Sequence, residues 1–183
     1  MSPYSPLKSI AVLASALLLA ACETAVPVSE GAAVVLPSSA PETVTNYAKV
    51  APNVAVSGRL DTEGLSAVKA LGVRRVIDIR RPSEPGVADS ELAANALSLP
   101  WENIPFASDP EGLDAFLAAL TEALEEEDAL YPVVIACGSA NRAAAAWTLY
   151  LIQGGTAPEE AIEVGRAAGM TSTEAIVRAY LAR

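Results

Sequence analysis

Four consecutive apolar residues, Val133-Val134-Ile135-Ala136, stand between a proline and a loop of small polar residues. A run of this length without polar alternation is what a strand carries when both of its faces are covered, as in the middle of a parallel sheet with helices above and below. The loop after it, Cys137 to Arg142, leads into an alanine-rich helix, Ala143 to Ile152, which Gly154-Gly155 ends. A chain built around this unit needs further strands beside it and helices for both faces.

The rest of the sequence supplies them. Val54-Ala55-Val56 reads as a short strand ending at Ser57-Gly58. Asp61 or Thr62 is placed to cap a helix with Leu65, Val68 and Leu71 on one face, and Gly72 stops it. Val73 to Ile79 is a strand running into the breaker-rich loop Arg80 to Gly86, where Arg80 is expected to pair with Asp78 or Glu84, the alternative being that Arg80 and Arg81 rim an anion site. Ala88 to Ala96 reads as a helix, and Leu99 to Phe106 as a strand weakened by Pro100 and Pro105. After Pro110, Leu113, Phe116, Leu117, Leu120 and Leu124 follow a helical stripe, and the acidic run Glu125 to Asp128 beyond it reads as a solvated turn. Two short helices, Pro158 to Ala168 and Ser172 to Ala182, close the chain. The expectation is one α/β layered domain over residues 43–183, with a mostly parallel central sheet flanked by helices.

The N-terminal part is different. Lys8 precedes an apolar stretch, Ile10 to Ala21, and Leu19-Ala20-Ala21-Cys22 follows. About a dozen apolar residues are too few to span a hydrocarbon core about 30 Å thick, so a removable export signal is the better reading. Leu-Ala-Ala-Cys resembles a bacterial lipobox. The resemblance implies that residues 1–21 are a lipoprotein signal peptide and that Cys22 carries the lipid. Glu23 after it, by likeness to Gram-negative lipoproteins, implies a periplasm-facing protein anchored in the outer membrane. Residues 22–42, rich in Ala, Val, Pro and Ser, read as a tether. With Cys22 assigned to lipid, Cys137 is the one cysteine left for chemistry.

Composition then narrows the chemistry. Twelve Lys and Arg against 22 Asp and Glu, a formal net charge of -10, argue against nucleic acid as a partner. There is no histidine, which removes imidazole-based hydrolysis and the usual zinc and non-haem iron sites, and two cysteines cannot build a thiolate metal site. No cofactor and no metal are expected. Carboxylates, arginine, hydroxyls and one thiol remain. In an open parallel sheet, ligands bind beyond the carboxyl ends of the strands. Cys137 stands at such an end, where the amides of the next helix offer donors and a partial positive charge that suit an anion. Arg142 adds a planar guanidinium for bidentate oxyanion capture. Trp101 and Trp147 read as core.

These residues resemble a known group. Ser57-Gly58 before a helix, Gly72-Val73-Arg74-Arg75-Val76-Ile77-Asp78-Ile79-Arg80, Asn103-Ile104-Pro105-Phe106, and Val134-Ile135-Ala136-Cys137-Gly138-Ser139-Ala140-Asn141-Arg142 are similar to the phosphatase-like domain found with β-lactamase-fold hydrolases. That domain belongs to the cysteine-dependent, dual-specificity-like phosphatases. The resemblance spans about Tyr47 to Met170. It implies Cys137 as thiolate nucleophile, the amides of Gly138, Ser139, Ala140, Asn141 and Arg142 as anion cradle, and Arg142 as transition-state clamp. It also implies a general acid before the long helix, with Asp109 first and Asp114 second. The substrate would be a phosphate-bearing or other small anionic molecule. Read structurally, Asp109 before Pro110 is equally a helix cap.

The sequence departs from the group's pattern in four ways. Four residues, not the usual five, separate Cys137 from Arg142, a spacing that also resembles the rhodanese loop. Ala136 replaces a histidine, Ala140 a glycine, and Ala143 a Ser or Thr. A rhodanese-like sulfurtransferase and a non-catalytic anion-binding lipoprotein are therefore the alternatives to a phosphatase.

Overall fold

The computed structural model describes residues 34–126 and 129–183. The strands are β1 (Ala48–Ala51), β2 (Val54–Ser57), β3 (Arg75–Asp78), β4 (Trp101–Asn103) and β5 (Val133–Ala136). They form one sheet in the order β1-β2-β5-β3-β4. β2, β5, β3 and β4 are parallel, and β1 is antiparallel to β2 at the edge. The helices are α1 (Thr62–Ala70), α2 (Val87–Ala96), α3 (Pro110–Glu125), α4 (Asn141–Gln153), α5 (Pro158–Ala167) and α6 (Glu174–Leu181).

The apolar run is the central strand, paired on both sides and buried at all four residues. Its side chains alternate between two cores, as the period of a strand requires. Val133 and Ile135 join Val54, Val56 and Ile77 in the core shared with Leu117 and Leu120 of α3, Leu149 of α4, Ile162 of α5 and Val177 of α6. Val134 and Ala136 join Ala55 and Val76 in the core shared with Leu65 and Val68 of α1 and Ala94 of α2. All five residues of the stripe in α3 are buried.

Three departures from expectation have physical causes. β1 was not anticipated, because Ala-Lys-Val-Ala has neither alternation nor β-branched enrichment, and its pairing comes from the tight return through Pro52-Asn53. The strand expected over Leu99 to Phe106 is reduced to three residues. Proline 100 and proline 105 cannot donate to a ladder, yet the chain still follows β3, with Ile104 N donating to Asp78 O and Phe106 N to Ile79 O, each at 3.0 Å. α4 begins at Asn141 rather than Ala143.

Residues 34–42, read from composition as part of the tether, lie against the second core. Leu36 is 1% exposed and its amide donates to Pro52 O at 2.8 Å, while Tyr47 Oη donates to Pro37 O at 3.0 Å. The signal segment 1–21, Cys22, the first part of the tether, and Glu127 and Asp128 of the acidic run lie outside the described residues.

Candidate active site

The register puts Ser57, Ala136, Asp78 and Asn103, the last residues of four parallel strands, in one row across the sheet. The segments after them, Gly58-Arg59, Cys137 to Ala140, Ile79 to Gly86 and Ile104 to Asp109, therefore emerge at one edge, the edge where parallel sheets bind ligands. Backbone bonds fasten the loop after β5 to its neighbours. Cys137 N donates to Ser57 O at 3.1 Å and Arg59 N to Gly138 O at 3.4 Å, and Gly58 bridges Ser139. Asn46 Nδ2 donates to Ser139 O at 3.2 Å.

Within this loop Cys137 is 1% exposed and packs with the core under α4. Gly138 and Ser139 are exposed. Ala140 precedes α4 in the left-handed region, φ 68°, where a Cβ costs about 1–2 kcal/mol. Asn46, whose side chain holds Ser139, has φ 52°, so two of the three strained non-glycine residues among those described meet at this loop. Asn141 ties the loop to the chain before α6: its Oδ1 accepts from Thr171 N at 2.8 Å and from Thr173 Oγ1 at 2.6 Å, and its Nδ2 donates to Ser172 Oγ at 2.7 Å. Among the described residues the amides of Gly138, Ser139, Asn141 and Arg142 have no acceptor in the protein. Two of these are orphan donors at a helix start, where an anion is favoured.

Arg142 does not point freely into this loop. Its Nη1 and Nη2 donate to Glu84 Oε1 and Oε2 at 2.6 and 2.7 Å, a bidentate pair on one edge of the guanidinium. Glu84 is itself fixed by Arg81 N, which donates to Oε1 at 2.8 Å. The Arg142 guanidinium holds the Glu84 carboxyl down at about 2, and Glu84 in turn raises Arg142, with a smaller contribution from the adjacent Cys137 sulfur. A Cβ at Gly138 would stand 3.5 Å from Nη2, which fixes the guanidinium beside the loop. The sequence suggested Glu84 as one possible partner of Arg80. Arg80 pairs instead with Asp78, both side chains 2% exposed, through Nε at 3.0 and 3.1 Å and Nη2 at 2.6 Å. Nη2 also donates to Ser90 Oγ at 2.9 Å, and Ser90 Oγ lies 2.7 Å from Leu60 O. That assignment leaves Glu84 for Arg142, a partnership no local spacing in the sequence signals.

Asp109 lies on the exposed loop between β4 and α3, at the same edge as Cys137. Its Oδ1 caps α3, accepting from Gly112 N at 2.8 Å, while Oδ2 has no partner among the described residues. Asp114 is turned to the end of the chain, where it accepts from Tyr180 Oη at 2.8 Å and from Arg183, whose guanidinium holds its carboxyl below the usual range. Trp147 is core, 5% exposed, whereas Trp101 is half-buried on β4.

A cleft of about 390 Å³ opens beside Gly138, lined by Arg59, Arg80, Glu84, Asp61, Thr43 and Thr45, of which the sequence offered only Arg80 as a rim of an anion site. The only available signal was that Arg59 and Glu84 follow strands ending at the same edge. Among the described residues no cluster of His, Cys, Asp and Glu suited to a metal is present.

No family model matches the chain, and no curated protein does. Solved structures do match. A candidate phosphatase of Neisseria meningitidis is 19% identical over 74% of this chain and 96% of its own, with a TM-score of 0.62. A candidate phosphatase (DUF442) of Shewanella putrefaciens is 20% identical over 77% of this chain and 94% of its own, with a TM-score of 0.58. TpbA of Pseudomonas aeruginosa, solved in complex with phosphotyrosine, is 16% identical over 80% of this chain and 88% of its own, with a TM-score of 0.59. The α/β layers and the five-stranded mixed sheet thus make up a fold shared with these phosphatase-like structures.

Proposed function

We propose that this chain is a cysteine-dependent phosphatase acting on a small phosphorylated substrate. The observation that carries the reading is the convergence, at the carboxyl end of the central strand, of Cys137, of loop amides without acceptors, and of an arginine already oriented by Glu84. The likeness to TpbA, whose complex holds phosphotyrosine, supports it.

In this mechanism Cys137 attacks phosphorus as a thiolate. An S–P bond forms, the ester P–O bond breaks, and the leaving oxygen takes a proton from Asp109, whose Oδ2 is not engaged by the cap. The loop amides and the edge of Arg142 not held by Glu84 receive the equatorial oxygens, and charge is stabilised by donors that need no reorganisation. Water then attacks phosphorus, Asp109 takes its proton, the S–P bond breaks and phosphate leaves. Ala143 offers no hydroxyl to help the thiolate depart, so this second step is the slower one. A burst of alcohol or phenol release ahead of steady turnover is its signature.

The full chain and its Cys137→Ser variant are to be assayed on 4-nitrophenyl phosphate, and on thiosulfate with cyanide. Phosphate release that the variant loses by 10³-fold or more supports the proposal. Thiocyanate formation in its place turns the reading to a sulfurtransferase, the alternative that the four-residue loop favours. Silence of the folded protein in both assays leaves a non-catalytic anion-binding protein.

At the N-terminus we propose that Cys22 is lipidated and anchors the chain to the outer membrane on its periplasmic side. Metabolic labelling with a palmitate analogue should mark the wild type and spare Cys22→Ser. Equal labelling of both removes the anchor.

A further inference from the structure

We infer that the cleft beside the loop is a second anion subsite built on Arg59, so that the preferred substrate carries two anionic groups. This rests on Cys137 and Arg142 receiving the first of them. Among the described residues six arginines have a carboxylate within 4.0 Å, namely Arg75, Arg80, Arg142, Arg166, Arg178 and Arg183. In a chain with 22 acidic residues against 12 basic ones, an arginine left without such a partner stands out. Arg59 is one of three, with Arg74 and Arg81, and of these it alone lines the cleft that reaches Gly138.

Its place is fixed by the backbone rather than by its side chain. Arg59 N donates to Gly138 O, and the preceding Gly58 bridges Ser139 and donates to Thr45 O at 2.7 Å. The residue therefore moves with the anion loop, while its exposed guanidinium makes no hydrogen bond or ion pair among the described residues. The two carboxylates on the same wall are already engaged: Glu84 holds Arg142, and Asp61 Oδ1 caps α1 through Gly64 N at 2.9 Å, beside the positive end of that helix. Thr43 and Thr45, also on the wall, are exposed and their hydroxyls have no hydrogen-bond partner in the protein among the described residues. A guanidinium with five donors, two hydroxyls and about 390 Å³ of space next to a phosphate cradle suit a second phosphate or carboxylate on one ligand.

The test uses the full chain as its Cys137→Ser variant, which binds without turnover. Calorimetric titration compares butyl phosphate with the alkane bisphosphates of two to six carbons, at low and high salt. The expected result is one bisphosphate length binding about 3- to 10-fold tighter than butyl phosphate beyond the statistical factor of two, a gain that shrinks in 0.5 M salt. Adding Arg59→Gln should remove that gain and leave butyl phosphate within about twofold, with an unchanged thermal midpoint. Butyl phosphate binding with no gain for any bisphosphate, or a gain that survives Arg59→Gln, overturns the second subsite alone. Failure of both ligand classes to bind overturns the phosphate reading together with it.

Discussion

Two arginine-carboxylate pairs sit at the same edge of the sheet, and they serve opposite ends. Arg80 and Asp78 are buried to 2% each and saturate one another, with Ser90 and Pro85 O taking further donors. Four of the five donors of that guanidinium are taken up by the protein. Its work is to hold the loop from Arg80 to Gly86 in shape. Arg142 and Glu84 are about a quarter exposed, and their contact uses only one edge of the guanidinium. The other edge and the neighbouring loop amides stay available. A closed pair at the root of the loop thus presents Glu84, and Glu84 orients the open pair. Burial and unused donors, not the presence of an ion pair, separate the two arginines.

The contrast is sharpest if one pair is broken at a time. Asp78→Ala leaves the buried Arg80 guanidinium without its counter-charge and should destabilise the fold by about 3–5 kcal/mol in denaturant titration. A loss below about 1 kcal/mol would mean that the loop does not depend on that pair. Arg142→Lys, by contrast, should leave stability within about 1 kcal/mol while phosphate release falls by roughly 10²- to 10³-fold, because an ammonium cannot hold Glu84 and two phosphate oxygens in one plane. If the fold fails before the activity does, the two pairs share one role.

The third prediction reads Glu84 through pH. Its carboxyl is held at about 2 in the folded chain against an ordinary value of 4.5, so what it adds to stability is present in full above about pH 4.5 and is lost as pH falls through 2. The difference in thermal midpoint between wild type and Glu84→Gln should therefore be largest near neutral pH and close up toward pH 2. A difference that does not vary with pH would show that the charge of Glu84 adds nothing to stability. The smallest effect is expected at Ala140. Its Ala140→Gly variant relieves the left-handed strain at φ 68° and should gain about 0.5–1 kcal/mol, measured by denaturant midpoint. A loss would indicate that its buried methyl contributes more than the strain costs.

Much of the architecture was legible because it is written in local pattern. The unbroken Val133 to Ala136 run, the stripe of α3 and the glycine after α1 each state a period or a stop, and the elements fall where those signals put them. β1 was invisible because its stability comes from its partner strand and not from its own residues. The strand-loop-helix unit with Cys137 and Arg142 was equally readable, being contiguous. The partner of Arg142 was not. Glu84 lies 58 residues away and reaches it only because β3 and β5 end in register. The same holds for Arg59, which a hairpin and a parallel pairing bring to Gly138. Charge in the sequence gives the inventory, whereas register decides which charges are left over.

The side-chain bonds of Asn141 carry a last consequence. The first residue of α4 is anchored by Thr171, Ser172 and Thr173, some thirty positions later in the chain. The loop after β5 is consequently a joint product of the two ends of this stretch, and it is finished late. A nascent chain that has laid down β5 and α4 still lacks the donors that hold Asn141 in place. The conformation of this loop should thus be set only once residues 171–173 have been added.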